Sequence, residues 1–436
     1  MNSIGERCPS TVRNSELLHQ KNQKYMASVS ISWKLLDGIG LRLLRAAVVG
    51  LLFFATLHAT AAGRSAKLTN PLHYYVAPNG NDRWNGSAAR PWATLQHAAD
   101  RATPGTVIHV AAGSYHGPVT ISASGIPFAR IRFISDQQWG ALIRSSSSRA
   151  AWTIDGDFID IVGFDISGDG SIGVLNRGSN VRIIGNHVHH IAAAGCDGNG
   201  GAGILNGNYS ASDSDVIGNV VHDIGESNKS CPRVHGIYHS NLRGRILDNI
   251  TYNNEGYGIH LWHAATQVTI ANNLVFNNRH GGIVVGAGDA PFNGSPTHPA
   301  DGVLVVNNIV VYNQNRYGIE ELGVTGPNNA FINNLVYGNR FADWKLQTGR
   351  QFGTTTADPH FINYREDGSG DYHLSSVSPA IGKASRKGAP PFDIQGYIRP
   401  EHAAWDLGPY QSGAVNKHAW PPESCIPDCD LQTTHD

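Results

Sequence analysis

Helical stripes are what this chain lacks most plainly. No long segment sets apolar residues at three- and four-residue spacing, which argues against a bundle or a helical repeat. Charge is also sparse. Only 15% of residues are charged and the formal net charge is −1, so no global field draws the chain toward nucleic acid or a membrane surface. A basic face interleaved with aromatics, as nucleic acid requires, is missing. GNGGAG at 198–203 falls between repeats rather than at a strand-to-helix turn, so it is no phosphate loop. The Leu-x-x-Leu-x-Leu register of leucine-rich repeats is absent too.

What the chain does have is a phrase that repeats. An Asn sits inside an aliphatic run in IIGNHVHHI (Asn186), VIGNVVHDI (Asn219), ILDNITYNN (Asn249), IANNLVFNN (Asn273), VVNNIVVYN (Asn308) and FINNLVYGN (Asn334). A Gly-aliphatic pair answers it at Gly173, Gly203, Gly236, Gly258, Gly282 and Gly318, at intervals of 30, 33, 22, 24 and 36 residues. A period in this range means a solenoid, in which one unit cannot bury its apolar side alone. Short runs of Val and Ile with Asn and Gly at the turns predict an all-β, right-handed parallel β-helix. The Ile of each pair should point inward, and Asn should stack on Asn along the turn. Gly before the Ile is expected to allow a bend that a Cβ would obstruct.

The ends read differently. Residues 1–62 have the features of a secretory leader. Ala46–Ala62 is apolar, Arg42 and Arg45 precede it, and Ala59-Thr60-Ala61 has the small-x-small form of a cleavage site. Met26 is an alternative start. The rival reading is an uncleaved anchor, although the run is short of the ~20 residues of a spanning helix and is broken by His58. A helix at about Trp92–Arg101 should cap the open end of the solenoid. Beyond Trp344 the repeats give way to a closing segment, so the β-helix domain spans 73–411, and 412–436 is a polar tail. The expected product is a secreted, periplasmic or cell-surface monomer that touches a membrane only if the leader is retained.

Secretion makes cysteine pairing relevant. Cys196 lies ten residues after Asn186 and Cys231 twelve after Asn219, in comparable loops of successive coils, so a disulfide between them is expected. Cys425 and Cys429 would then pair locally. Zinc binding with His189, His190, His222 and His235 is the alternative, without a CxxC or HxxxH core to support it.

At this point a family resemblance enters. VAPNGND, RPWATLQHA and PGTVIHVAAGSYHGPVTI within Tyr74–Ser124, together with the later DPHF, DYHL, SPAIG, DIQG, RP and DLGPY series, resemble secreted β-helix proteins of the pectate-lyase-like superfamily, including family 9 polysaccharide lyases. The resemblance covers roughly 73–411 and implies the fold, secretion and a carbohydrate substrate. It also implies Ca²⁺ held by clustered Asp residues and a Lys base. Neither motif can be matched here, because Asp155, Asp157 and Asp160 sit in a plain strand-turn context. Calcium is therefore left open, the metal is unknown and no catalytic residue is carried over.

Register supplies candidates from the residues themselves. If the Ile after Gly points inward, the next residue points outward. That column reads Leu205, Tyr238, His260, Val284 and Glu320. Tyr238 and His260 should touch, and the exposed wall they form is flanked by loops Ala192–Ala202, Gly225–Arg233 and Gly286–Asp301, with His235, His239 and His280 nearby. β-Elimination on a uronate polymer needs a base, an acid and a group to steady the carboxylate. The assignment is His260 as base, Tyr238 as acid or second base, Arg279 or Arg316 as carboxylate holder, and Trp262 for stacking, with His263 and Glu320 lining the groove. His239 reads instead as a satisfied buried group, pointing inward or into a turn. Glu321 and Lys345 read as a cross-strand ion pair. His187, His189 and His190 belong to the back of the coil, and His222-Asp223 is an oriented imidazole or a turn. Two other functions compete: a glycoside hydrolase with a facing carboxylate pair drawn from Glu320, Glu321, Asp289 and Asp343, and a non-catalytic glycan-binding or surface-structural protein.

Overall fold

A computed structural model describes residues 71–417, apart from 147–149, 193–195, 197–199, 226–229 and 289–297. The leader, Cys8, Asp289, the Cys425–Cys429 pair, most of the tail and parts of the three flanking loops lie outside the described residues.

Each coil contributes one strand to each of three parallel sheets. A side sheet of eleven strands runs from Leu72–Val76 to Arg350–Phe352. A back sheet of nine runs from Gly113–Gly117 to Leu335–Tyr337, and a front sheet of nine from Val119–Ile121 to Ala342–Lys345. The coils wind as a right-handed β-helix. Ile204, Ile237, Ile259, Ile283 and Ile319 stand in one register column and are fully buried.

The Asn column forms as expected at the corner between side and back sheets. Asn186 donates to Asn219, Asn219 to Asn249, Asn249 to Asn273, Asn273 to Asn308 and Asn308 to Asn334, all at 2.9–3.0 Å. Each side chain also takes a backbone N–H from the coil before it, such as Asn249 N on Asn273 Oδ1 at 2.8 Å. Buried amides are thus satisfied in a corner that no regular ladder could serve. A second Asn ladder, Asn254–Asn278–Asn313–Asn339, turns the chain from back to front sheet at 2.8–2.9 Å. It was visible in the sequence as the closing Asn of the last four repeats.

This second ladder revises the role of the repeat glycines. A Cβ at Gly258 would come within 2.4 Å of Thr251 Oγ1 and 2.7 Å of Asn278 Nδ2, and one at Gly318 within 2.4 Å of Asn339 Nδ2. Glycine is required there for the close approach of the Asn column, not for a bend.

The N-terminal helix is short, Leu95–Ala99, with Thr94 as its N-cap. Leu95, Ala98 and Ala99 join the core, while Gln96 exchanges two hydrogen bonds with the backbone of Thr120 on the first front strand. That occupies an otherwise open edge. At the other end, a hairpin of Phe361–Asn363 and Asp371–Leu374 belongs to a closing segment that lays Tyr372, Ala380 and Leu407 on Tyr252, Phe276 and Val311 of the back sheet. The Cys196–Cys231 disulfide is present, with Cα atoms 5.6 Å apart.

Candidate functional site

The front sheet places Leu205, Tyr238, His260, Val284, Glu320 and Lys345 in one outward column. Parallel pairing at ~4.8 Å per coil lets flat side chains stack. The Tyr238 and His260 rings do so, with centroids 5.1 Å apart and planes at 17°. The wall is nevertheless not the open surface that alternation suggests. His260 is only 8% exposed and Glu320 is fully buried.

Larger neighbours cover both. Trp262 lies 5.4 Å from His260 and reaches along the wall over Gly286 and Gly323, where a Cβ would come within 2.5 and 3.0 Å of the indole. Tyr257 likewise lies over Gly281, where a Cβ would meet the ring at 2.7 Å. Its hydroxyl thereby reaches Glu320 Oε1 at 2.9 Å. The glycines open lanes for rings from the preceding coils. Sequence reasoning passed over Tyr257, though its place just before the repeat glycine, like His235 and Tyr317, is a readable signal.

At the centre is an imidazole pair. His260 Nδ1 lies 3.0 Å from His235 Nε2. His260 Nε2 and His235 Nδ1 are buried without a hydrogen-bond partner among the described residues. A neutral imidazole has one N–H. If His260 Nδ1 donates, His260 Nε2 presents a lone pair and His235 keeps its proton at Nδ1; the reverse arrangement exchanges the two. Burial, reinforced by His280, depresses the His235 pKa to about 3. Burial, followed by His235, His263 and His280, holds His260 well below its ordinary value. Among the described residues no carboxylate counters these effects at the pair, which favours the neutral form of both rings.

Glu320 is tied to Arg316, with Nε–Oε1 at 3.0 Å and Nη2–Oε2 at 2.5 Å. The guanidinium is therefore held in a fixed plane, and no bond engages its Nη1 among the described residues. His280 packs edge-on against Tyr257 at 4.8 Å, and its pKa falls to about 4 through burial and the Arg316 charge, against the opposing pull of Glu320. His263 packs on Tyr209 at 4.4 Å and lies 6.2 Å from Tyr238. The Arg279 charge acts on Asp223, which lies on the back-sheet strand Val220–Ile224. His239 faces inward as expected, extending an Asn176–Asn206 ladder and bonding the Arg243 carbonyl at 2.8 Å.

Other expectations need correction. Glu321 does not pair with Lys345. Register sets Lys345 opposite Glu320, and its ammonium lies over the Tyr317 ring at 5.4 Å. Glu321 accepts the backbone N–H groups of Gln347, Thr348 and Gly349 at 2.6–2.9 Å, because the tight turn after the last front strand leaves three donors converging on one carboxylate. Asp343 ends the second Asn ladder at 3.0 Å. With Glu320 bound to Arg316, none of the hydrolase candidates among the described residues is a free facing carboxylate.

The calcium implied by resemblance does not fit the acidic residues singled out for it. Asp155 pairs with Arg177 at 2.6 Å, Asp157 caps Ser179 N at 2.7 Å, and Asp160 is buried between Arg130 and Arg182. A Ca²⁺ site needs six to eight converging oxygens, and these three carboxylates are each spent on a cation or an amide.

Residues 74–351 match the Pel9A-like, right handed beta helix region family. Pectate lyase L of Dickeya dadantii (strain 3937) is 24% identical over 339 residues, covering 66% of this chain and 77% of that protein. The uncharacterized protein YwoF of Bacillus subtilis (strain 168) is 32% identical over 75 residues, a stretch that spans only 16% of YwoF. The crystal structure of pectate lyase Pel9A superposes with a TM-score of 0.57 at 17% identity, covering 80% of this chain and 98% of that one. With the stacked coils, the Asn corners and this match over most of the described residues, the chain belongs to the Pel9A-like right-handed β-helix family.

Proposed function

We propose that this chain is a secreted polysaccharide lyase that cleaves an acidic, uronate-bearing polymer by β-elimination, with His260 as the base. The observation that carries this reading is the His260–His235 pair, whose outer nitrogens are buried and, among the described residues, without a partner on the front wall. Membership of a family with a pectate lyase among its relatives supports the polysaccharide substrate. The Cys196–Cys231 disulfide supports an oxidising compartment. Among the described residues no helix is long and apolar enough to cross a membrane.

The step balances without an oxidant. His260 Nε2 takes the proton on the carbon beside the uronate carboxylate. The C–H electrons form a carbon–carbon double bond, the bond to the leaving glycosidic oxygen breaks, and Tyr238 protonates that oxygen. His260 Nδ1–H passes its proton toward His235 Nε2, which spreads the charge over two rings. Among the described residues the one carboxylate of this wall, Glu320, is bonded to Arg316 and Tyr257 rather than to the imidazole pair, so the substrate's carboxylate raises the basicity of His260 only when it is bound. Arg316, oriented by Glu320, directs Nη1 toward that carboxylate, and Trp262 supplies a flat surface for a sugar ring. Entry requires Tyr238 and Trp262 to swing off His260.

The test is a panel of uronate polymers followed by the ultraviolet absorbance of unsaturated ends. We expect product from at least one, and His260→Ala to lower kcat by about 10²–10⁴, the usual range for a general base. Full turnover by that variant removes His260 from the mechanism. Reducing ends without absorbance mean hydrolysis, and binding without turnover means a glycan-binding protein; either result overturns the lyase reading.

A further inference from the structure

The opposite wall carries a second imidazole cluster that the proposed chemistry does not use. Asp165 and His187 are register partners on the back sheet, as are His189 and His222 on the next pair of coils. His187 Nδ1 lies 2.8 Å from Asp165 Oδ2, and His189 Nε2 lies 3.2 Å from Asp165 Oδ1. The His187 and His189 rings stack at 4.2 Å. One donor atom from each of these three residues lies within 4.8 Å of the other two. On the far side, His187 Nε2 meets His222 Nε2 at 2.8 Å, and His222 Nδ1 meets Asp223 Oδ2 at 2.6 Å.

These contacts leave the cluster one proton short. His222 donates its single N–H to Asp223, so its Nε2 can only accept. His187 then faces an acceptor at each nitrogen, Asp165 on one side and His222 on the other, and a neutral imidazole cannot donate to both. A cation bound by Asp165, His187 Nδ1 and His189 Nε2 removes the shortage. His187 then carries its proton at Nε2 and donates to His222, which still donates to Asp223. His189 carries its proton at Nδ1 and donates to His190 Nδ1, 2.7 Å away.

We propose that Asp165, His187 and His189 form a binding site for a borderline divalent transition cation of the zinc class, with His222 and Asp223 as the hydrogen-bonded shell that fixes the His187 tautomer. Two imidazoles and a carboxylate suit such an ion and leave a coordination position open. They do not suit calcium, which wants oxygen throughout. The outer partners follow the usual carboxylate–histidine support of a metal ligand. Arg144 Nη1 also contacts Asp165 Oδ1 at 2.7 Å. Its side chain is 43% exposed and swings into solvent when the cation enters. The donor residues are 11–22% exposed, so an ion can reach them.

The test uses the intact chain, stripped with a chelator and dialysed against zinc chloride. We expect one zinc per chain at saturation, unaffected by millimolar calcium. His187→Gln and His189→Gln should each weaken retention at least tenfold, whereas His116→Gln, an exposed residue elsewhere on the back sheet, should leave it unchanged. Wild-type histidine tautomers, followed by ¹⁵N NMR during the titration, make the test independent of variant folding, with His187 expected to hold its N–H at Nε2 once zinc is bound. Absence of retained zinc, equal retention by the His187 and His189 variants, or an unmoved His187 proton overturns the site. None of these outcomes bears on turnover at the front wall.

Discussion

The two faces of this β-helix carry the same side chains under opposite electrostatic rules. On the front, His235 and His260 bond each other, and their outer nitrogens have no partner among the described residues. On the back, each inter-ring contact is backed by a carboxylate, Asp165 beneath His187 and His189, and Asp223 beside His222. Imidazole is the same molecule in both places. What differs is whether, among the described residues, a carboxylate bonds the rings directly: Asp165 and Asp223 do on the back, whereas Glu320 on the front is taken by Arg316 and Tyr257. Where it does, the rings are held for a cation. Where it does not, they are stripped of protons and left able to accept one from a substrate that brings its own charge.

The largest effect should come from removing the front base. Beyond the loss of turnover in His260→Ala, the neutral pair has a signature in pH. The kcat/KM profile reports the base of the free enzyme, and burial holds His260 well below 6.5. The acid limb should therefore fall at a pH well under the ordinary histidine range. A limb centred at 6.5 or above would mean that the base is a solvated histidine or another group, and the contrast between the faces would collapse.

Next in size is a change to the corner that joins the faces. Asn278 is fully buried. It accepts from Asn254, donates to Asn313, and its amide also reaches the carbonyls of Thr251 and Phe276. Asn278→Ala strands several of these groups at once and should lower unfolding stability by about 3 kcal/mol, measured by urea denaturation. Gly258→Ala drives a methyl into the same amide and should cost a similar amount. Both variants should disturb the front and back clusters together, since one ladder spaces the strands of both. Loss at a single face would show that the faces are independent.

How much of this was legible follows from how each feature is encoded. The Asn corner, the inward Ile column, the Tyr238–His260 stack and the Cys196–Cys231 bond were readable because each depends only on period and register. The burial of His260 and Glu320 was not. It arises from residues that are absent, the missing side chains at Gly281, Gly286 and Gly323 that let Tyr257 and Trp262 lie across other coils. Glu321 misled because a side chain one step along the strand turns inward, where a later turn presents three amides. The back cluster lay within reach of the same arithmetic. His189 and His222 each stand three residues after a ladder Asn, but Asp165 belongs to a coil where Phe164 occupies the Asn position, so its place in the column was hidden.

The smallest effect concerns acid stability, and it separates the faces most cleanly. Front histidines with depressed folded values, about 3 for His235 and about 4 for His280, and the inward His239 of the same sheet, also about 4, take up protons more readily when unfolded. Their contribution is complete above pH 6.5 and is lost as pH falls toward 4, because the unfolded chain then binds more protons than the folded one. On the back, burial opposes ionisation of Asp165, but hydrogen bonds from His187, His189 and Arg144 outweigh it and keep the carboxyl far below 3.8. That contribution is complete above about 3.8 and is lost only below it. His222, lowered by burial despite Asp223, adds a back-face share to the upper window. Thermal melts across pH should therefore decline in two stages. His235→Gln should flatten the decline from 6.5 down to about 3, and Asp165→Asn should flatten only the stage below about 3.8. A His235→Gln chain whose melting temperature still falls as steeply as wild type between 6.5 and 4 would show that His235 is charged in the folded chain, against the depression that burial and His280 impose on it.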